Sequence, residues 1–502
     1  MKKTGKTLLI ALAVIMLLGG CKKQSSEKKI LEFKFASPAV EAVITESAKT
    51  IVAVVPFGTD VTALVPIITV SDKATVSPAS GSPVNFTNPV TFTVTAEDGS
   101  QVNYVATITV DQNGGGGGGG GSTDPTQISG NINANTTWPD LGLPVDYIID
   151  GYCYIEGNAL LTIEPGVTIM FTGSNGSLIV EQNAGLRMVG TADKHIQLVN
   201  AINNPNHGAW RKVQIHSNRA DNQFEYVDFI NGGSDENVIV VEWDAKLSIK
   251  NCVIDGSLGD GIFLEGTLTA FENNIIKNCE RYPIEVKGGL HINQLGTGNR
   301  YESNTKNMIR CNFYWLDNET VHTFTFSNQG IPYFMQSGMN VDANSIMVVN
   351  AGCEFVFPYD SELYVDDGCL IQVNGTASEF VTFRGEEMEA GQWRGVKIHT
   401  ERTTSGGSYL KNCVINGAGI DEDGCLHLED DTRLVIENLT VSNSGSFGLN
   451  IEIPMEWNEI TEEYEYDFAD YHVTATGLIF SNCALGNIWE RNMGIVFNAW
   501  PN

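Results

Sequence analysis

The 502-residue sequence predicts an all-β chain: a small β-sandwich followed by a parallel β-helix. Three observations lead there. Apolar and polar residues alternate with period two on both sides of an Asp-Gly turn. Eight consecutive glycines separate two differently patterned stretches. The longer stretch repeats itself about every 22 residues and shows no helical periodicity.

The chain opens with Lys2, Lys3 and Lys6, and continues through an apolar run from Leu8 to Leu18. That run suits a signal peptide and is short of the roughly 20 residues a membrane-spanning helix needs. Leu18-Gly19-Gly20-Cys21 follows and resembles the lipobox of bacterial lipoproteins. The resemblance implies a signal peptide over 1–20, cleavage before Cys21 and lipidation of Cys21. The bacterial membrane is then a partner through the lipid. The expected location is the outer membrane at the cell surface, with a periplasm-facing orientation as the alternative. Acyl chains contribute roughly 0.8 kcal/mol per buried methylene, enough for stable anchoring when several are present. Residues 21–29, with Lys22, Lys23, Lys28 and Lys29, read as a tether.

The formal net charge is -30, and loss of the leader's three lysines makes the mature chain more negative still. Such a surface disfavours nucleic acid. Ten cysteines are present and one carries the lipid, so the other nine cannot all pair within the chain. No C-x-x-C occurs, and most sit in apolar runs such as Asn251-Cys252-Val253-Ile254, as small buried hydrophobes do. Export leaves one or two disulfides open.

Residues 30–111 read as the sandwich. Val90, Phe92, Val94 and Ala96 alternate with threonines, the chain turns at Glu97-Asp98-Gly99-Ser100, and Val102, Tyr104, Ala106, Ile108 and Val110 alternate again. That is a hairpin signature. The stretch resembles the immunoglobulin-like modules at the start of many Gram-negative surface lipoproteins; the unit reads as a spacer, with glycan binding as the alternative. Residues 112–127 hold Gly114 to Gly121 and read as a flexible linker.

Residues 128–502 form the repetitive body. Ile249-Lys250-Asn251-Cys252-Val253-Ile254 precedes Phe271-Glu272-Asn273-Asn274-Ile275-Ile276 by 22 residues, and Leu410-Lys411-Asn412-Cys413-Val414-Ile415 repeats the pattern later. Short β-branched runs closed by Asn or Gly predict coils of three strands, because both residues tolerate left-handed backbone at corners. About 11–13 coils at about 4.8 Å are expected. A longer repeat overlays the short one. Trp210-Arg211-Lys212-Val213-Gln214-Ile215-His216 matches Trp393-Arg394-Gly395-Val396-Lys397-Ile398-His399 at an offset of 183, so residues of about 150–290 and 346–453 read as duplicated halves. The pattern resembles the pectate-lyase-like right-handed β-helix superfamily, a fold that hosts many activities.

Catalytic signatures are missing. No histidine lies in G-H-G and no arginine opens R-x-K, two marks of the polygalacturonase-like members of that superfamily. His216 and His399 recur with the repeat, as Trp210 and Trp393 do, and read as scaffold. Asp421, Asp423, Asp430 and Asp431 could supply hard oxygen ligands, for which Ca²⁺ is the fitting cation. The competing reading is turn chemistry: Asp423-Gly424, Asp367-Gly368 and Asp260-Gly261 each precede an apolar run. Glu452 to Tyr471 breaks the repeat and reads as an inserted hairpin. Its Trp457, Tyr464, Tyr466 and Tyr471, interleaved with carboxylates, form a candidate ligand-binding set, set against a solvated hairpin that covers an edge. The expected function is a non-catalytic, lipid-anchored surface protein that presents a glycan- or partner-binding face, with no cofactor beyond Ca²⁺. The alternatives are a polysaccharide lyase or glycoside hydrolase on acidic or plant polysaccharide, and a structural envelope protein.

Overall fold

The computed structural model describes residues 24–36, 39–55, 59–110, 124–128, 130–200, 206–316, 322–461, 463–467, 471–492, 494–497 and 499–500. Cys21, the leader and the glycine run lie outside the described residues. The chain divides into two compact units between Thr123 and Asp124.

The first unit has two sheets. One orders Ala39–Glu41, Ile30–Ala36 and Pro66–Val70; the other orders Val43–Thr45, Thr50–Val55, Gln101–Val110, Val90–Thr95 and Thr75–Ser77. The expected hairpin pairs Thr95 with Gln101 and Val90 with Ala106. Alternation sends Phe92, Val94, Tyr104 and Ala106 into the core. There Phe33 meets Phe92 edge-on at 5.2 Å, and Phe86 stacks on Phe92 at 6.1 Å.

The second unit is a parallel β-helix built from four sheets. Sheet I runs from Thr126–Ile128 to Arg300–Glu302 with eight strands, and sheet II from Thr136–Trp138 to Thr267–Glu272 with six. Sheet III has seventeen strands, from Tyr152–Ile155 to Ile479–Cys483. Sheet IV has eight, from Trp315–Leu316 to Ile495–Phe497, the last antiparallel. Thr126–Ile128 already pairs with Tyr147–Ile149, so the first coil begins within the stretch expected to be linker.

Sheet III contains one unbroken column of thirteen stacked strands, one per coil. Its other four strands are joined to it because Ser408–Asn416 and Leu434–Ser444 each bend round a corner and serve two faces. The bends fall at Asn412 and Asn438, with φ of 46° and 59°. Asn438 donates to the Asn412 side chain at 3.1 Å, and Asn412 donates to the Gly375 carbonyl at 2.9 Å. A second ladder runs Asn482 to Asn443 to Asn416, at 3.0 and 2.9 Å. The left-handed corners expected of asparagine are therefore also rungs that bind coil to coil.

Inside, like sits on like. Ile262, Ile284, Ile309, Tyr333, Phe355, Phe383, Ile415 and Val441 share one register position and are buried. The nine described cysteines are free; eight are buried and Cys483 is half-buried.

The two copies of the tryptophan motif stand on different faces of the helix. Trp210 stacks on Phe171 at 4.6 Å and donates to the Ile230 carbonyl; Trp393 stacks on Phe357 at 4.3 Å and donates to the Asn416 carbonyl. The first tryptophan leads into a sheet III strand, Lys212–Ile215, and the second into a sheet IV strand, Gly395–Ile398. Sheet III is continuous between them, so the repeat has advanced by seven coils and one further face. The changeover coincides with Gly289–Gln294, a 3-10 turn standing where sheet II would receive its next strand.

Replacing Asn438 by Ala is expected to destabilise the β-helix by about 1–2 kcal/mol, since alanine tolerates the left-handed corner less well than asparagine and a rung is removed. Asn438→Gly keeps the backbone geometry and should cost less. Urea denaturation of both variants checks the order.

Candidate functional site

Strand alternation leaves a second row on sheet III pointing away from the core. Phe263, Glu285, Arg310, Phe334, Val356 and Arg384 occupy matching positions on successive coils. Neighbours in such a row lie about 4.8 Å apart, so each side chain meets the next. Glu285 Oε2 accepts from Arg310 Nη1 at 3.1 Å and its Oε1 accepts from Asn312 at 2.6 Å. Arg310 Nε donates to Gln336 Oε1 at 2.5 Å.

Asp260 lies beneath this row, 1% exposed. It accepts the Tyr282 backbone N–H at 2.9 Å, and its oxygens stand 3.5 Å from Arg281 and 3.6 Å from Arg310. Burial pushes its carboxyl up to about 6, while the two guanidinium groups and the Tyr282 N–H pull the other way. Glu285 adds repulsion. The glycine after Asp260 has no left-handed φ, unlike Gly368 and Gly424. Asp260 thus opens the strand Asp260–Leu264 and corrects the turn reading at that position.

Above the network, Tyr282 and Phe334 stack at 5.8 Å and pack with Val356 and Met308 as an apolar cluster outside the helix core. The Lys306 ammonium lies 5.3 Å from the Tyr282 ring centre and 5.9 Å from that of Phe334. It makes no ion pair among the described residues. Tyr282, Phe334, Lys306 and Arg310, with Glu280, Arg281, Thr305 and Gln336, line an open pocket of about 360 Å³. It offers hydrogen-bond donors around two aromatic rings. Asp260 and Glu285 are buried and held against guanidinium groups, while Glu280 is the carboxylate that lines the pocket.

The inserted hairpin divides the four expected aromatics. Met455–Asn458 pairs with Glu463–Tyr466, placing Trp457 opposite Tyr464 with rings 5.2 Å apart and both about half exposed or more. Tyr466 and Tyr471 turn inward and pack against the core at the end of the helix. Tyr466 donates to the buried Glu490 at 2.6 Å, and Tyr471 stacks on Trp500 at 6.1 Å. Half of that set therefore covers the open end of the last coils, as terminal coils of repeat folds require.

The four aspartates do not converge. Among the described residues no group of three or more His, Cys, Asp or Glu side chains is placed to hold a metal ion. Asp421 pairs with Arg394 at 3.3 Å, and Asp423 with Arg491 at 3.0 Å. Asp430 and Asp431 lie beyond the strand Leu426–Leu428, in the next turn. What the sequence reading missed here is His427. It is 2% exposed, between Glu452 at 2.9 Å and Asp423 at 3.6 Å, and Arg491 bridges the same two carboxylates. His216 and His399 sit on the tryptophan strands' ends as scaffold, His399 beside Glu429 at 3.3 Å.

Residues 30–108 match the family model described as SGBP, N-terminal. That is the amino-terminal domain of surface glycan-binding proteins, and it coincides with the first compact unit's two-sheet core. Two solved structures show local likeness. A candidate glycoside hydrolase from Bacteroides thetaiotaomicron is 30% identical over 19% of this chain, with a TM-score of 0.16. The match spans 28% of that hydrolase's length. A candidate secreted protein from Bacteroides fragilis is 18% identical over 18% of this chain and 97% of its own, with a TM-score of 0.14. At those scores neither bears on fold or activity. No curated protein matches the chain.

The His427 cluster sets a pH window. Burial opposes protonation of His427, but Asp423 and Glu452 outweigh it and hold the imidazole above its ordinary value. The His427 hydrogen bond in turn lowers Asp423 to about 2 and pulls Glu452 down, against burial. Lys397, paired with Glu429 at 2.9 Å, adds positive charge nearby. The histidine's contribution is complete below about pH 6.5 and is lost as pH rises through its folded value. The carboxylates' contribution is complete above about pH 4.5 and is lost as pH falls toward 2. Amide protection in residues 447–492, corrected for the intrinsic pH dependence of exchange, should therefore be greatest between those limits, and His427→Gln should flatten the alkaline side.

Proposed function

We propose that this chain is a non-catalytic, lipid-anchored cell-surface protein whose β-helix binds glycan on the outer flank of sheet III. The match of residues 30–108 to the amino-terminal domain of surface glycan-binding proteins carries the reading. Cys21, in its lipobox-like setting, is the proposed anchor. The pocket between Tyr282, Phe334, Lys306 and Gln336 is the proposed core of the binding face. Sugars present flat apolar faces ringed by hydroxyls, and aromatic rings with convergent donors are the complementary surface. Trp457 and Tyr464 form a proposed accessory contact on the hairpin. Buried carboxylates locked under Arg310 favour binding over turnover. No cation is assigned to Asp421, Asp423, Asp430 and Asp431 in this proposal.

Lys306→Ala is expected to weaken glycan binding about tenfold, the equivalent of roughly 1.4 kcal/mol, with little change in melting temperature because Gln336 and the Arg310 network are left intact. A glycan array followed by calorimetry on the full chain checks this; unchanged affinity for every bound glycan would move the site elsewhere.

A further inference from the structure

The corner that leaves sheet III carries a pattern of its own. Val241, Leu264, Val286, Cys311 and Met335 hold one register position on five successive coils, and Phe357 follows from the pairing of Tyr333 with Phe355. Two residues past those positions stand Trp243, Gly266, Gly288, Phe313, Ser337 and Tyr359. Phe313 itself packs inward, but the same turn continues into Tyr314 and Trp315, whose rings meet edge-on at 4.9 Å. The corner thus reads aromatic, glycine, glycine, aromatic, serine, aromatic.

These aromatics are not core residues that happen to show. Trp243 is 73% exposed, Trp315 48% and Tyr359 71%. Single exposed rings are common on protein surfaces; what sets these apart is their alignment along one edge, Trp243 and Tyr359 in the corner turn and Trp315 two residues past it, at the start of the sheet IV strand Trp315–Leu316. Coil spacing places the second ring about 14 Å beyond the first along the helix axis, and the third about 10 Å further. One coil advances about as far as one sugar of an extended glycan, so the intervals are three units and then two. Beside the first ring, Glu242, Asp244 and Glu265 make no ion pair among the described residues, so that end of the strip is negative and unsuited to a polyanion, while Lys287 stands at the Gly288 step.

We infer that this corner is a second, extended part of the binding face, and that it takes a neutral polysaccharide chain laid along the helix axis, its sugars stacking on Trp243, Trp315 and Tyr359. The inference rests on the glycan-binding reading above and adds to it the ligand's shape and charge. Gly266 and Gly288 put no side chain on the two steps between the first rings, with the His291 ring standing beside Gly288. At Gly266 a Cβ would stand 2.4 Å from the Glu242 carbonyl, so the floor there admits no side chain.

The test uses the full chain and neutral oligosaccharides of increasing length (β-linked gluco-, manno- and xylo-series), with oligogalacturonate as the charged control. Affinity should climb steeply once a chain reaches from Trp243 to Trp315, and again at Tyr359. Trp243→Ala or Tyr359→Ala should remove about tenfold of the gain for long chains and leave short ones unchanged, as expected for loss of one stacking contact. Lys306→Ala should weaken short and long chains alike. Length-independent binding, preference for oligogalacturonate, or intact length dependence in a Trp243→Ala, Tyr359→Ala double variant would each overturn the inference while leaving glycan binding standing. Binding of no glycan at all would overturn both. The three rings are exposed and outside the core, so the variants should fold as the parent does.

Discussion

The parallel hydrogen bonding between successive coils is the constraint from which the rest of the second unit follows. Once each coil must present its strands in register with the one below, every position becomes part of a row running along the helix. Inward rows must stay apolar, which they do from Ile262 to Val441. Corners must turn sharply without breaking register, and asparagine at positions such as 412 and 438 meets that demand while bonding to the next coil. Outward rows are free of both demands, and there the chain departs from repetition.

The departures share a logic. In the row Phe263 to Arg384 the side chains change character from coil to coil, so each interacts with a different neighbour. Glu285 and Arg310 satisfy one another, and Asp260 is tolerated under them because two guanidinium groups and a backbone N–H share its charge. A buried carboxylate left alone would cost several kcal/mol. The network braces the floor of the pocket, and the aromatic pair of Tyr282 and Phe334 stands on it. Rigidity below, and above it a Lys306 that lies over two rings and makes no ion pair among the described residues, are what a recognition surface needs.

Much of this was legible in the residues. The hairpin at Asp98-Gly99 and the asparagine corners follow from local backbone preference, and the coil period follows from spacing. The expected coil count of about 11–13 reaches the thirteen strands stacked in sheet III. The flank was not read, although its signal was present. Glu285 and Arg310 occupy matching places in consecutive repeats, and aligning the repeats residue by residue would have brought them together. Asp260 was hidden for a different reason: Asp-Gly reads as a turn, and only tertiary burial separates it from Asp367-Gly368. The aspartates at 421, 423, 430 and 431 cluster in sequence but are parted by a strand. The hairpin aromatics look alike on paper, yet Tyr466 and Tyr471 were drawn to the helix end by the apolar coil that needed cover.

The one-face offset between the duplicated halves has a consequence for individuality. A duplicated scaffold ordinarily displays every surface feature twice, pointing the same way, and a partner cannot tell one copy from the other. Here the two tryptophan loops emerge on different sides of the helix, Trp210 between sheets I and III and Trp393 between sheets III and IV. Each outward row is consequently a mosaic of positions drawn from different phases of the repeat. Symmetry in the gene has become asymmetry on the surface, and any molecule that docks on one side meets an address that occurs once.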